Sequence, residues 1–184
     1  ENFVELIEFA KELAINNFDG QFGGFGTHPK FPMPDLLNFL NQYFFETKNE
    51  QIRQIMEKTL LEMQSGGMFD QVEGGFFRYS TTQDWSIPHF EKMLEDNSHL
   101  ITVYLNAHQL YGKKEFLDCA KKTINYVLEN LFDKKENHFF GTQDADEHYY
   151  AMKLIERKKF SAPKIDKTLF TGWNCQMVFG LLRA

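Results

Sequence analysis

The sequence predicts an all-α protein, an array of antiparallel helix hairpins with its long loops gathered at one end. Three observations carry this. Apolar residues recur at three- and four-residue steps over most of the chain, the spacing of one helix face. Connectors alternate between long and short. The long connectors also resemble one another: Phe18-Asp19, Phe69-Asp70 and Phe132-Asp133 each open one, and an aromatic-glycine patch follows each time. Recurrence in fixed context is the mark of a structural repeat, here a helix, a long loop and a helix.

The first helix is expected over 2–17, with Phe3, Leu6, Ile7, Ala10, Leu13 and Ala14 along one face. The glycine-rich run from Asp19 ends it, and Pro29, Pro32 and Pro34 keep the chain irregular to about Asp35. A second helix follows over 35–46, carried by Leu36, Leu37, Phe39, Leu40 and Tyr43. A third spans 50–64, with Ile52, Ile55, Met56, Leu60 and Met63. Gly66 to His99 is the densest run of special-purpose residues, with strand pairing expected within 74–82. Proline suits a first helical turn, so Pro88 predicts a fourth helix over 88–111 that Gly112 stops. A fifth covers 115–131, a shorter helical stretch 147–158, and a last helix 168–183, after the break at Pro163. The loops after helices one, three and five then run to roughly 17, 23 and 15 residues. Short connections make antiparallel hairpins, which puts all three long loops at the same end. Structureless loops of that length are uncommon unless they carry function.

Composition narrows the class. A chain of 184 residues, 42% hydrophobic, has enough material for one domain with a real core. Its net charge of -6 argues against nucleic acid as the main partner. No apolar run reaches membrane-spanning length and no signal peptide is visible. Cys119 and Cys175 form neither a CxxC nor a metal spacing, so a reduced, cytoplasmic setting is expected, without metal or cofactor.

GGFGTHPKFPMP, GGMFDQVEGGFFRYSTTQDWSIPHFEKMLEDN and FFGTQDADE resemble the signature blocks of a thioredoxin-domain-containing family of unknown function, that of spermatogenesis-associated protein 20 and its bacterial relatives. The resemblance covers about residues 20–147, and Ile165 to Cys175 resembles a later block. It implies an (α/α)6 toroid similar to N-acylglucosamine 2-epimerases and six-hairpin glycosidases. Three departures stand out. The family's N-terminal thioredoxin-like domain is not in this sequence. The acidic stretch after Asp144-Ala-Asp is shortened to Glu147-His-Tyr-Tyr. The interval from that block to Asp166-Lys167 is far shorter than the family pattern. Residues 1–184 are therefore expected to form a single domain, about half a toroid, whose open edge takes up the missing half or a second copy.

Ionisable groups concentrate at the long-loop end. On a helix beginning at Pro88, His89, Lys92, Asp96 and His99 would share one face, and Glu91, Glu95 and Asn97 lie close by. A histidine beside carboxylates suits acid–base work near neutral pH, which makes His89, Glu91 and Asp96 the catalytic candidates. Asp144 and Asp146, expected to face His89, complete that set; helix capping is the alternative for them. His28, Lys30, Asp70, Arg78, Trp85, Lys92 and Asn97 are the ligand-binding candidates, with Asp70 and Arg78 also readable as a pair inside the loop. Phe22, Phe25, Phe31, Phe76, Tyr79 and Trp85 are suited either to stacking on a sugar ring or to pinning the loops. The expected ligand is a carbohydrate-like small molecule, bound by an epimerase-, isomerase- or glycosidase-like site. The alternative is a non-catalytic helical module that serves a thioredoxin-like domain.

Overall fold

A computed structural model describes residues 3–184. Six long helices carry the architecture: α1 (Phe3–Asn17), α2 (Pro34–Thr47), α3 (Glu50–Ser65), α4 (Leu94–Tyr111), α5 (Lys114–Asn130) and α8 (Thr171–Leu181). Two single turns, α6 (Glu147–Tyr150) and α7 (Leu154–Arg157), lie between α5 and α8. Residue 2 of the expected first helix lies outside the described residues.

The helices stand in two layers. In one, α4 packs between α2 and α8; in the other, α3 sits over α2 and α4, and α5 over α4. Two buried hydrogen bonds hold the helices in register, the first across the layers and the second within one. Tyr104 donates to the Leu60 carbonyl at 2.8 Å, and Tyr111 to Asn41 Oδ1 at 2.8 Å. The predicted hairpins are present: α2 and α3 are joined through Lys48 and Asn49, α4 and α5 through Gly112 and Lys113. Asn49 caps α3 by accepting from the Gln51 and Ile52 amides, and Gly112, at φ 72°, ends α4 as expected.

The long loops are not structureless. Each closes on itself through a backbone bridge between its two aromatics: Phe18 with Phe25, Phe69 with Phe76 and Phe132 with Phe139. The last of these joins β4 (Phe132–Asp133) to β5 (His138–Phe139). Each loop then pairs with the next. Lys30 bridges Ser80 in β1 (Tyr79–Ser80), which pairs with β2 (Pro88–His89). Similarly, β3 (Lys92–Met93) pairs with β6 (Thr142–Gln143), which pairs with β7 (Ile165–Asp166).

Three expected boundaries are corrected, two of them by these ladders. Pro88 does not open α4, because Pro88–Met93 supplies strand partners for the loops and the helix starts at Leu94, whose amide donates to the Gly141 carbonyl. The stretch 147–158 is two separate turns. α8 starts at Thr171, because Ile165 and Asp166 belong to the ladder. At Pro88 and at Ile165 backbone groups buried in a loop had to find partners, and a neighbouring loop provided them.

Gly75 shows how closely loop and helix meet. It has φ +81°, and an added Cβ would lie 2.5 Å from Tyr126 Cδ1 on α5. Gly75→Ala is expected to lose about 2 kcal/mol or more of stability, read as a lowered urea midpoint at unchanged m-value.

Candidate functional site

The loop end is organised by one turn made three times. An aspartate follows the first aromatic and accepts hydrogen bonds from the amides two and three residues on. Asp19 Oδ1 takes Gln21 N at 2.9 Å and Phe22 N at 3.0 Å; Asp70 Oδ1 takes Val72 N at 2.9 Å and Glu73 N at 3.4 Å; Asp133 Oδ1 takes Lys135 N at 2.9 Å and Glu136 N at 3.3 Å. Side chains of this kind mimic a backbone turn. The residue after the turn has positive φ: Gly23 at 68°, Gly74 at 81° and Asn137 at 55°. The free carboxylate oxygen of the first two meets a lysine. Lys30 Nζ lies 2.7 Å from Asp19 Oδ2 and 2.8 Å from the Gly23 carbonyl; Lys92 Nζ lies 2.8 Å from Asp70 Oδ2 and 2.8 Å from the Gly74 carbonyl.

An asparagine in the following helix clamps the second aromatic. Asn97 accepts from Phe76 N at 2.7 Å and donates to its carbonyl at 3.0 Å; Asn174 does the same for Phe139 at 2.7 and 3.0 Å. Both asparagines stand four residues after the helix N-cap, where α2 has Leu37. Lys92 stands five residues before Asn97 and Lys30 seven before Leu37; those offsets from Asn174 give Leu169 and Lys167, and among the described residues no ion pair joins Asp133 to a lysine.

The second turn is the most deeply built. Arg157 binds Asp70 through both terminal nitrogens, at 2.6 and 3.1 Å, and reaches Glu73 Oε2 at 2.8 Å. Lys92, 0% exposed, lies 4.1 Å from the ring centre of Tyr126 and 4.9 Å from that of Tyr150. Burial alone would raise the Asp70 pKa; the charge of Lys92 and the hydrogen bonds of Arg157 outweigh it and hold the carboxyl below its ordinary value. Burial pulls the Lys92 ammonium down to about 8, against the opposing attraction of Asp70.

The expected site residues therefore divide. Lys30, Asp70, Lys92 and Asn97 face inward, bound to one another's turns, and Trp85 is fully buried, donating from Nε1 to the Phe22 carbonyl at 3.0 Å. His89, Lys92, Asp96 and His99 do not share a helix face, because His89 and Lys92 are on strands. Arg78 pairs with Glu91 at 3.1 Å, not with Asp70. Asp144 and Asp146 are exposed; Asp146 caps α6 through Tyr149 N at 2.8 Å, and among the described residues no hydrogen bond or ion pair joins either to His89. His28 is exposed on the first loop. Arg157, Glu73, Tyr126 and Tyr150 escaped the sequence reading. The signal for Arg157 was indirect: two buried cations on one carboxylate lie 22 and 87 residues from it in sequence.

What remains facing outward is a compact group. The rings of Phe31 and Tyr79 have centres 5.0 Å apart, and Tyr79 stacks on His89 at 5.1 Å. Glu91 Oε2 lies 3.1 Å from Arg78 Nη1 and 3.6 Å from His89 Nε2. Behind this group Asp96 holds a carboxyl whose Oδ2 is shut off from solvent and, among the described residues, has no hydrogen-bond partner. Burial pushes its pKa up to about 7; repulsion from Glu95 and Glu91 adds to the rise and Arg78 opposes it. Among the described residues no helix is long and apolar enough to cross a membrane.

Two layers of antiparallel helix hairpins, curved and laced at one end by their loops, are part of an (α/α)6 toroid. The cellobiose 2-epimerase of Spirochaeta thermophila matches 97% of this chain and 49% of its own, with TM-score 0.72 at 16% identity. A family 76 glycoside hydrolase (mannosidase) of Bacteroides thetaiotaomicron matches 84% of this chain and 38% of its own, with TM-score 0.65 at 14% identity. At those identities the likeness is one of fold. In sequence, spermatogenesis-associated protein 20 of Rattus norvegicus is 43% identical over 133 residues, 70% of this chain. Cellobiose 2-epimerase of Bacteroides fragilis is 28% identical over 91 residues, 47% of this chain and 23% of its own length. The chain belongs to the family of spermatogenesis-associated protein 20 and spans 17% of the length of the rat protein. No protein-family model matches it.

Two stability measurements follow from this geometry. Lys92→Met leaves a buried carboxylate short of one cation and is expected to cost about 3–5 kcal/mol in chemical denaturation. In the Asp70→Asn background the same substitution should cost clearly less, which a double-mutant cycle reads directly. Asp96 has the opposite sign. Its raised pKa means that the folded state holds the proton more tightly, so its contribution to stability falls as pH rises from about 4 to 7 and is flat above. Asp96→Asn should therefore raise the melting temperature at pH 8 and leave it nearly unchanged at pH 4.

Proposed function

We propose that the outward group at the loop end is a carbohydrate site. The observation that carries this is an aromatic column beside a carboxylate–guanidinium pair, with Tyr79 stacked on His89 and Phe31 tilted against Tyr79 by 31°. Aromatic faces receive the apolar face of a sugar ring, and the Glu91–Arg78 pair offers an acceptor and donors to its hydroxyls. Phe31 is 46% exposed, so the face is open. The cellobiose 2-epimerases among the similar proteins support a sugar as the ligand class.

In this reading His89 exchanges a proton with a sugar carbon or hydroxyl, and Glu91, at 3.6 Å, orients the imidazole. Asp96, with a pKa near 7, is the proton-bearing acid. Asp144 and Asp146 stand at the rim and take hydroxyls of a longer saccharide. His28 occupies the corresponding rim of the first loop. The second reading, a helical module without chemistry, draws on the inward-facing signature residues: Lys30, Asp70, Lys92 and Asn97 are used up in building the loops.

Saccharide titration followed by ligand-detected NMR distinguishes the two. A mono- or disaccharide should bind, with affinity falling at least about tenfold in Tyr79→Ala, and deuterium should enter the bound sugar from heavy water in the parent but not in His89→Asn. Binding without exchange would leave a lectin-like module. No binding to any saccharide of a broad panel would remove the carbohydrate reading.

A further inference from the structure

The curved double layer ends on two edges that carry exposed apolar side chains among the described residues. On α1, Ala14 is buried and Ala10 half-buried on the side that meets the core, while Phe3 and Ile7, towards the start of the helix, are 80% and 45% exposed. Leu6, Phe9 and Leu13 form a second stripe roughly a quarter-turn away, 63%, 65% and 53% exposed. On α8, Met177 and Gly180 are buried against α4, while Val178, Phe179 and Leu182 on the opposite side are 49%, 47% and 82% exposed. A helix with a second apolar stripe beyond the face it buries suits a position covered on both. The two edges also differ in charge. α1 carries Glu5, Glu8 and Glu12 against Lys11, whereas residues 164–184 carry Lys164, Lys167 and Arg183 against Asp166.

We propose that a second copy of this chain covers both edges, the α1 edge of each copy seated on the α8 edge of the other, so that two copies close a twelve-helix ring. The fold contains its own precedent for the joint. α3 spans two neighbouring helices of the other layer, α2 and α4. A partner's α8 set beside α2 places α1 across the pair in the same way. The count also closes: six long helices are half of twelve, and 97% of the chain covers 49% of the epimerase it superposes on. A joint between unlike edges either closes into a ring or grows into a filament, and half a toroid closes at two. The acidic and basic edges favour this head-to-tail order over pairing of like edges.

The test is the mass of the full chain in solution, by sedimentation and light scattering, with variants at exposed positions that leave the monomer core untouched. The parent should run at about twice 21.7 kDa. Phe9→Glu on α1 and Phe179→Glu on α8 should each weaken dimerisation at least about tenfold with an unchanged helical circular dichroism spectrum. Glu12→Lys and Lys167→Glu should each weaken it alone, and mixing the two variants should recover association through the joint where the swapped charges meet. Three results would each overturn the proposal. One is a monomer up to the highest attainable concentration, which would assign the edges to another segment or partner. Another is a dimer broken by the α1 variant but indifferent to the α8 variant, which means like-edge pairing. The third is open-ended growth with concentration.

Discussion

The loop end depends on one buried carboxylate, that of Asp70. It would be intolerable in that surrounding without compensation, and Lys92 and Arg157 provide it from two distant parts of the chain. The consequences run in a circuit. Asp70 fixes the turn that brings Gly74 and Gly75 against α5. Tyr126 of α5 fills the space beside Gly75, lies under Lys92 and donates its hydroxyl to Gln143 at 3.1 Å. Gln143 in turn pairs through its backbone with Lys92. Each member is held by two others, so the ammonium has one position and the start of α4 follows from it.

The three turns are variants of a common plan rather than copies. The first keeps the lysine and lacks the asparagine clamp; Thr59 Oγ1 of α3 instead accepts from the Gly24 amide at 2.9 Å, one residue before Phe25. The second keeps both. The third keeps the asparagine, replaces the positive-φ glycine by Asn137 and, among the described residues, pairs its aspartate with no lysine. Asparagine tolerates the left-handed conformation better than other non-glycine residues, so the turn survives the exchange. Asp133 is more open to solvent than Asp70, and a carboxylate that water can reach has little need of a buried cation.

Most of the architecture was legible in the sequence, because helices announce themselves by period and the Phe-Asp repeats announced the loops. Boundaries failed where a loop borrowed structure from its neighbour. Pro88 is a sound helix-starting residue by local rules, yet a strand pairing with Tyr79–Ser80 overrode it. The site was legible as a neighbourhood but not as an arrangement. Lys92 and Asp96 sit four apart and look like a helix pair; in the structure one is locked to Asp70 and the other is left without a partner. Spacing reports which residues share a face only once the element is known, and Arg157, far along the chain and in no motif, gave no local sign of its role.

The ladder that joins successive loops has a consequence for how the molecule comes apart. In a stacked-repeat protein each unit ordinarily opens at its own cost, with neighbours contributing a separate interface term. Here Lys30 and Ser80 exchange both backbone hydrogen bonds, and Gln143 is paired on both sides. One loop cannot open without stripping its neighbour of backbone partners. The amides of these loops, which by their length and irregularity would be the first to exchange with solvent, are thereby tied to the cooperative unfolding of the whole arc.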